Sequence, residues 1–378
     1  MANDQTKFGD GELGRDDRPQ PHPYPPYRPP LLLRRGMPMT LHGALVTSRR
    51  WPQTLAEAEP PYQEHYFRGA GGVPLFGWVA IPRAAKATLV ATYGITGTIA
   101  DQAMLRVLGR KAYDQGYAVV LFDWRAHGKS AELSPSLTSD GLQEGPDFIH
   151  IAAQAIALGA PPRICLSGYS LGGQLALWGL RAAEDPELRQ AAGLASTVPV
   201  TGVVVCPNLD AWRSLNFLMA DPWGRYLERA IARGLRQLAE KLLLAHPGSL
   251  DPGAIARADS ILAFDRELVI GKLGFETVED YYRATSPLGF MGELRSPYRV
   301  IYAADDPLFH PSLVPELAAL AKASPALDLM LTRYGGHVGY LSDRATQRRY
   351  GDADGWWACH RTLDWMAMQW QSPTDQEH

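Results

Sequence analysis

Gly168-Tyr169-Ser170-Leu171-Gly172 places a serine between two glycines, where the apolar run RICLSGY meets the helical stretch LGGQLALWGLRAAED. A strand-to-helix turn this tight needs glycine on both sides, and it exposes the Ser170 hydroxyl above the C-terminal edge of a sheet. The new helix brings free N–H groups and the positive end of its dipole to the same place. A serine hydroxyl is a poor nucleophile at neutral pH and needs a base that is oriented by a third group. The expected base is His337, which lies among Gly335, Gly336 and Gly339 directly after LDLMLTR. The expected acid is Asp306, which follows YRVIYAA and precedes Pro307. Asp305 and Asp210 also follow strand-like runs and stand as alternative acids.

Acyl transfer needs N–H donors aimed at a developing oxyanion. The Leu171 amide, next to the nucleophile, is one expected donor. The loop Tyr93-Gly94-Ile95-Thr96-Gly97-Thr98 supplies the other, with Ile95 the expected donor because Gly94 lets the backbone approach substrate closely. The segment Asp123-Trp-Arg125-Ala-His127-Gly128-Lys-Ser130 also holds an acid and a histidine. It reads as structural, its carboxylate and guanidinium satisfying each other and nearby backbone. His22, His42, His65, His246 and His378 have no comparable setting. No H-E-x-x-H pattern occurs, so neither metal nor cofactor is expected.

Three groups at the ends of three different strands require a sheet. ATLVATY, YAVVLFD, RICLSGY, TGVVVCP, YRVIYAA and LDLMLTR are short, nearly continuous apolar runs, the pattern of strands buried on both faces. Helical stretches alternate with several of them, which predicts a mostly parallel sheet covered on both sides. QEHYFRG and PLFGWVAIP, joined by GAGGV, predict an antiparallel hairpin at one edge. From Asn208 to about Ser286 the alternation stops. RYLERAIARGLRQLAEKLLL there places Leu227, Ile231, Leu238 and Leu242 on one side and Arg225, Arg229, Arg233, Arg236 and Lys241 on the rest. The expected organisation is a proline-rich, disordered tail and lead-in (1–60), a first core part (61–207), a helical cap insertion (208–287), a second core part (288–371) and a C-terminal tail (372–378).

The 378 residues carry 37 basic and 40 acidic side chains, too even a balance for a protein that grips nucleic acid by its phosphates. Three cysteines far apart in sequence form no disulfide framework, so a cytoplasmic, reducing compartment is expected. The polar, acidic start has no signal-peptide pattern, and no apolar run nears the ~18 residues of a spanning helix. The basic face of the 225–241 stretch would allow peripheral contact with an anionic membrane. Seven of the twelve residues from Pro19 to Pro30 are proline, extended chain in which a P-x-x-P is the one docking signal, a weak one for a protein partner.

With Ser170, Asp306, His337, the D-x-R-x-H-G-x-S segment and the glycine loop in place, the chain resembles the α/β-hydrolase superfamily. It is most similar to the YheT-like branch, through Tyr93-Gly-Ile-Thr-Gly97, Phe264-Asp265, Gly274-Phe275, Asp280-Tyr281-Tyr282, Asp305-Asp306-Pro307 and Gly335-Gly336-His337-Val338-Gly339. The likeness runs from about Tyr62 to Trp370. It departs at Tyr93, where the family carries histidine. The resemblance implies an α/β-hydrolase fold and a Ser-His-Asp enzyme. The expected activity is hydrolysis of small-molecule or lipid carboxylic esters; a thioesterase or acyltransferase using the same triad, and a non-catalytic scaffold, are the alternatives.

Overall fold

Eight strands form one sheet in the computed structural model, which describes residues 27–370. Most of the proline-rich tail and the C-terminal tail 372–378 lie outside the described residues. The strands are β1 (Gln63–Arg68), β2 (Pro74–Ala80), β3 (Thr88–Thr92), β4 (Ala118–Phe122), β5 (Ile164–Tyr169), β6 (Val200–Val205), β7 (Tyr298–Ala303) and β8 (Leu327–Thr332). Their order across the sheet is β1-β2-β4-β3-β5-β6-β7-β8. β1, β2 and β4 pair antiparallel, and every pair from β4 onward is parallel. Every residue of β3 to β7 is buried, as the unbroken apolar runs require.

The helices that frame the site are α1 (Gly36–His42), α2 (Ala103–Asp114), α3 (Glu144–Ala157), α4 (Leu171–Glu184), α5 (Ala211–Ala220), α6 (Pro222–Ala245), α7 (Val278–Thr285) and α8 (Trp357–Trp370). Alternation along β4 puts helices on both faces of the sheet. Val119 and Leu121 lie under Gly109 of α2, whereas the Phe122 ring meets Phe148 of α3 edge-on at 4.9 Å. Helices α5 to α7 are inserted between β6 and β7 and carry a second apolar cluster, with Leu235, Ala239, Leu242, Phe264 and Tyr281 at its centre. The buried stripe of α6 is Gly224, Glu228, Ala232, Leu235, Ala239 and Leu242. Leu227, Ile231 and Leu238, expected on the packed side, are only half-buried. Small residues let the helix approach closely, and Glu228 is buried because it accepts the Ile261 N–H at 2.6 Å. Among the described residues no helix is long and apolar enough to cross a membrane.

The lead-in departs from the expected disorder. Residues 27–60 fold against the core, with Met39 fully buried and Tyr27 stacked in a cluster with Tyr340 and Trp357. Trp51 lies beneath the guanidinium groups of Arg106 and Arg110, and Glu57 pairs with the buried Lys111 ammonium at 2.7 Å. All these partners come from distant sequence.

Candidate active site

Parallel strands deliver their C-terminal ends to one rim, and the chain runs outward in opposite directions from the gap between β3 and β5. Ligands bind at such a switch point. Ser170 leaves β5 with φ +54° and ψ −128°, a strained backbone that only a tightly packed turn maintains. A Cβ on Gly168 would meet the Gly172 carbonyl oxygen at 2.2 Å, and one on Gly172 would meet that of Tyr93 at 2.2 Å. The two glycines are therefore what lets strand, turn and helix close.

His337 follows β8. Its Nε2 lies 2.8 Å from the Ser170 hydroxyl oxygen and its Nδ1 lies 2.8 Å from Asp306 Oδ2. Asp306 follows β7, is buried, and its Oδ1 accepts the Leu308 N–H at 2.9 Å. The edge of Phe309 rests against the imidazole, with ring centroids 5.0 Å apart. The alternative acids are elsewhere. Asp305 Oδ1 accepts the Gly336 N–H at 2.9 Å and so shapes the loop that carries His337, while burial pushes its carboxyl up. Asp210 is corrected to a structural residue: it caps α5 through the Arg213 N–H at 2.9 Å and pairs with the Arg213 guanidinium at 2.6 Å.

Ile95 and Leu171 both line the cavity that contains Ser170. A Cβ on Gly94 would stand 3.0 Å from the Ser170 Cβ, so the loop after β3 rests directly on the nucleophile. Its neighbouring amides are committed: Thr96 N–H donates to His127 Nε2 at 3.1 Å and Ile99 N–H to Asp123 Oδ1 at 2.9 Å. His127 can accept because its Nδ1–H is spent on the Arg125 carbonyl at 2.9 Å, and burial lowers its pKa to about 3. Tyr93 donates its hydroxyl to Asp123 Oδ1 at 2.6 Å, anchoring the loop where the family carries histidine. Asp123 and Arg125 are structural but do not pair; Arg125 instead grips Asp147 through two bonds of 2.7 and 2.9 Å.

Sequence reasoning missed two supports. Gln102 receives the Tyr169 hydroxyl at 2.6 Å and donates to the Thr96 carbonyl at 3.1 Å, tying nucleophile turn to glycine loop. Thr40 of α1 accepts the His337 N–H at 2.8 Å and donates to the Gly36 carbonyl at 2.8 Å. No local signal marks either residue, because the partner each supports, Tyr169 for Gln102 and His337 for Thr40, lies far away in sequence. Thr40→Val removes the acceptor from a part-buried N–H. It is expected to cost about 1–3 kcal/mol in urea unfolding and to lower kcat more than it raises KM.

A cavity of about 130 Å³ runs from Ser170 beneath the cap, and a groove of about 490 Å³ opens beside it between α1 and α6. Trp124, Leu215, Leu218, Leu235 and Phe264 make the cavity walls mostly apolar. The arrangement sets a hydroxyl, an imidazole and a carboxylate in one hydrogen-bonded line beside a mostly apolar space that Ile95 and Leu171 also line.

Comparison with known proteins gives a consistent result. The alpha/beta hydrolase family matches residues 101–348. The provisionally named esterase slr0264 of Synechocystis sp. is 48% identical over 349 residues, covering 91% of this chain and 95% of that protein. YheT of Escherichia coli, also provisionally named an esterase, is 28% identical over 203 residues, 53% of each chain. Among solved structures, the Pyrococcus furiosus esterase Pf2001 superposes with a TM-score of 0.51 at 16% identity, covering 93% of this chain and all of that one, which speaks to fold alone.

Proposed function

The chain belongs to the α/β-hydrolase family, in its YheT-like branch, and from that premise we propose that it is a serine hydrolase of carboxylic esters. The observation that carries this reading is the hydrogen-bonded line from the Ser170 hydroxyl through the His337 imidazole to Asp306, with 2.8 Å at each step. Ser170 donates its proton to Nε2 as its oxygen attacks the ester carbonyl. Asp306 accepts the Nδ1–H, fixes the tautomer and stabilises the imidazolium. The tetrahedral oxyanion takes hydrogen bonds from the Ile95 and Leu171 amides, each such donor contributing about 2.7–4 kcal/mol to the transition state. Collapse expels the alcohol, which leaves with the proton from Nε2. Water, deprotonated by the same nitrogen, then attacks the acyl-enzyme and frees the acid and Ser170.

The apolar cavity walls favour an acyl chain or a lipid ester in the site. Three buried, free cysteines are compatible with a reducing compartment and support a cytoplasmic location as part of this reading. The test is reaction with a fluorophosphonate probe followed by peptide mass analysis. The expected adduct is on the peptide containing Ser170, with loss of p-nitrophenyl ester hydrolysis in step with labelling. Hydrolysis that survives complete labelling, or an adduct on another serine, would remove Ser170 from the reaction.

A further inference from the structure

The cavity beneath the cap is not apolar throughout. Its lining includes Asp140, Asp265 and Tyr282, from the segment before α3 and from two parts of the cap. Both carboxylates are more than nine-tenths buried, yet neither makes an ion pair with a described residue. Their close neighbours are acids or hydroxyls. Asp265 accepts the Tyr282 hydroxyl, Thr138 donates to Asp140 at 3.3 Å, and Glu144 adds a further buried negative group. His127, which lines the same cavity, is held neutral. Burial and then the Glu144 charge push the Asp140 carboxyl up to about 7, and burial and then the Asp140 charge push that of Asp265 well above the ordinary carboxylate range.

A second, independent feature of the cavity wall points the same way. Ser214 of α5 is more than nine-tenths buried, lines the cavity, and its hydroxyl has no protein partner; the half-buried Asn208 also lines it, and its Oδ1 is buried without a protein partner. Buried polar groups are normally satisfied, so these mark a space that receives a polar ligand. The charge deficit decides its sign. An uncompensated buried carboxylate is costly, and the group that relieves it is a cation. Tyr282 and Phe264 line the same space, and aromatic walls beside carboxylates suit an ammonium better than a neutral donor. A divalent metal fits less well, since among the described residues no group of three or more His, Cys, Asp or Glu could hold one.

We propose that the Asp140–Asp265–Tyr282 part of the cavity wall binds an ammonium group carried on one arm of the ester, making cationic esters the preferred substrates. This rests on Ser170, which lines the same cavity, being the nucleophile. The experiment compares kcat/KM within two isosteric pairs that differ only in charge. On the alcohol side these are choline butyrate and 3,3-dimethylbutyl butyrate. On the acyl side they are the p-nitrophenyl esters of 6-(trimethylammonio)hexanoic and 7,7-dimethyloctanoic acids. The cationic member of at least one pair is expected to lead by about tenfold or more, and Asp140→Asn and Asp265→Asn each to cut that ratio about tenfold. A ratio at or below one in both pairs, or a ratio unchanged in the double variant, would overturn the proposal. Failure to hydrolyse any of the four esters would instead count against the hydrolase reading itself.

Stability supplies a second readout that does not need substrate. Glu144, Thr138 and Tyr281 face Asp140 from the core side and α7, and Asp265 and Tyr282 face it from the cap. Because its folded pKa lies above the unfolded one, ionisation of Asp140 penalises the fold as pH rises from about 4 to 7, and the penalty persists above. Asp140→Asn is therefore expected to raise Tm at pH 8 and to lose that gain toward pH 4. A gain that does not depend on pH, or a lower Tm at pH 8, would show that Asp140 is compensated in the free protein and would remove the charge argument.

Discussion

Replacing Ser170 with alanine lowers kcat for p-nitrophenyl butyrate by about 10⁴- to 10⁶-fold, and His337→Ala falls in the same range. The double variant is no worse than either single one, because hydroxyl and imidazole act as one unit: an imidazole without Oγ has no proton to take, and Oγ without the imidazole has nowhere to send one. What survives is the contribution of the Ile95 and Leu171 amides and of substrate binding, about 10³–10⁴ over water. KM is expected to stay within a few-fold, since the cavity walls are unchanged. Ser170→Ala should also fold normally. Alanine keeps the same Cβ, so the +54° backbone of the turn is no more strained than before, and Tm measures this directly. More than about 1% residual kcat in a folded Ser170→Ala protein would mean that another group forms the new bond.

How far the molecule can be read from its sequence depends on where each residue finds its partners. The strands β3 to β7 were legible because both faces of each are covered, which writes a continuous apolar run into the chain, and β8, partly exposed at the sheet edge, still carries an apolar run. The turn at Ser170 was legible because Gly168 is demanded by a contact within five residues, the Gly172 carbonyl, although Gly172 itself is demanded by the distant Tyr93 carbonyl. The stripe on α6 was misread for a physical reason. Large apolar residues are taken as the packed side, but this helix packs through Gly224, Ala232 and Ala239 and turns Leu227 and Ile231 toward the groove. The lead-in was illegible because Thr40, Trp51 and Glu57 are held by His337, Arg106, Arg110 and Lys111, and a short helix broken by a wider turn shows no periodicity. The carboxylates of the cavity wall were likewise hidden, since burial of an aspartate depends on a cap that closes over it from 125 residues later.

Sequence put Asp306 ahead of its neighbour Asp305 only through the proline that follows it, and the choice between them yields the second large effect. Asp306→Asn is expected to lower kcat about 10⁴-fold while leaving KM and Tm nearly unchanged. An amide is the right size, and its oxygen can still accept the Leu308 N–H. Its NH₂, turned toward Nδ1, stabilises the tautomer that carries the proton on Nε2, and that tautomer presents a donor to Ser170 where an acceptor is needed. The amide also brings no charge to balance the imidazolium. Asp305→Asn is the control that separates this from general disturbance of the rim. Its Oδ1 continues to accept the Gly336 N–H, and its Oδ2 has no partner to lose, so kcat should fall less than about tenfold. Burial and the Asp306 charge already raise its carboxyl, so a neutral side chain there removes a repulsion rather than an attraction. If the two variants exchanged places, with Asp305→Asn the severe one, the imidazole would be oriented by the loop that Asp305 braces and not by the bond to Asp306, and pH–rate profiles of both would show which loss follows the tautomer.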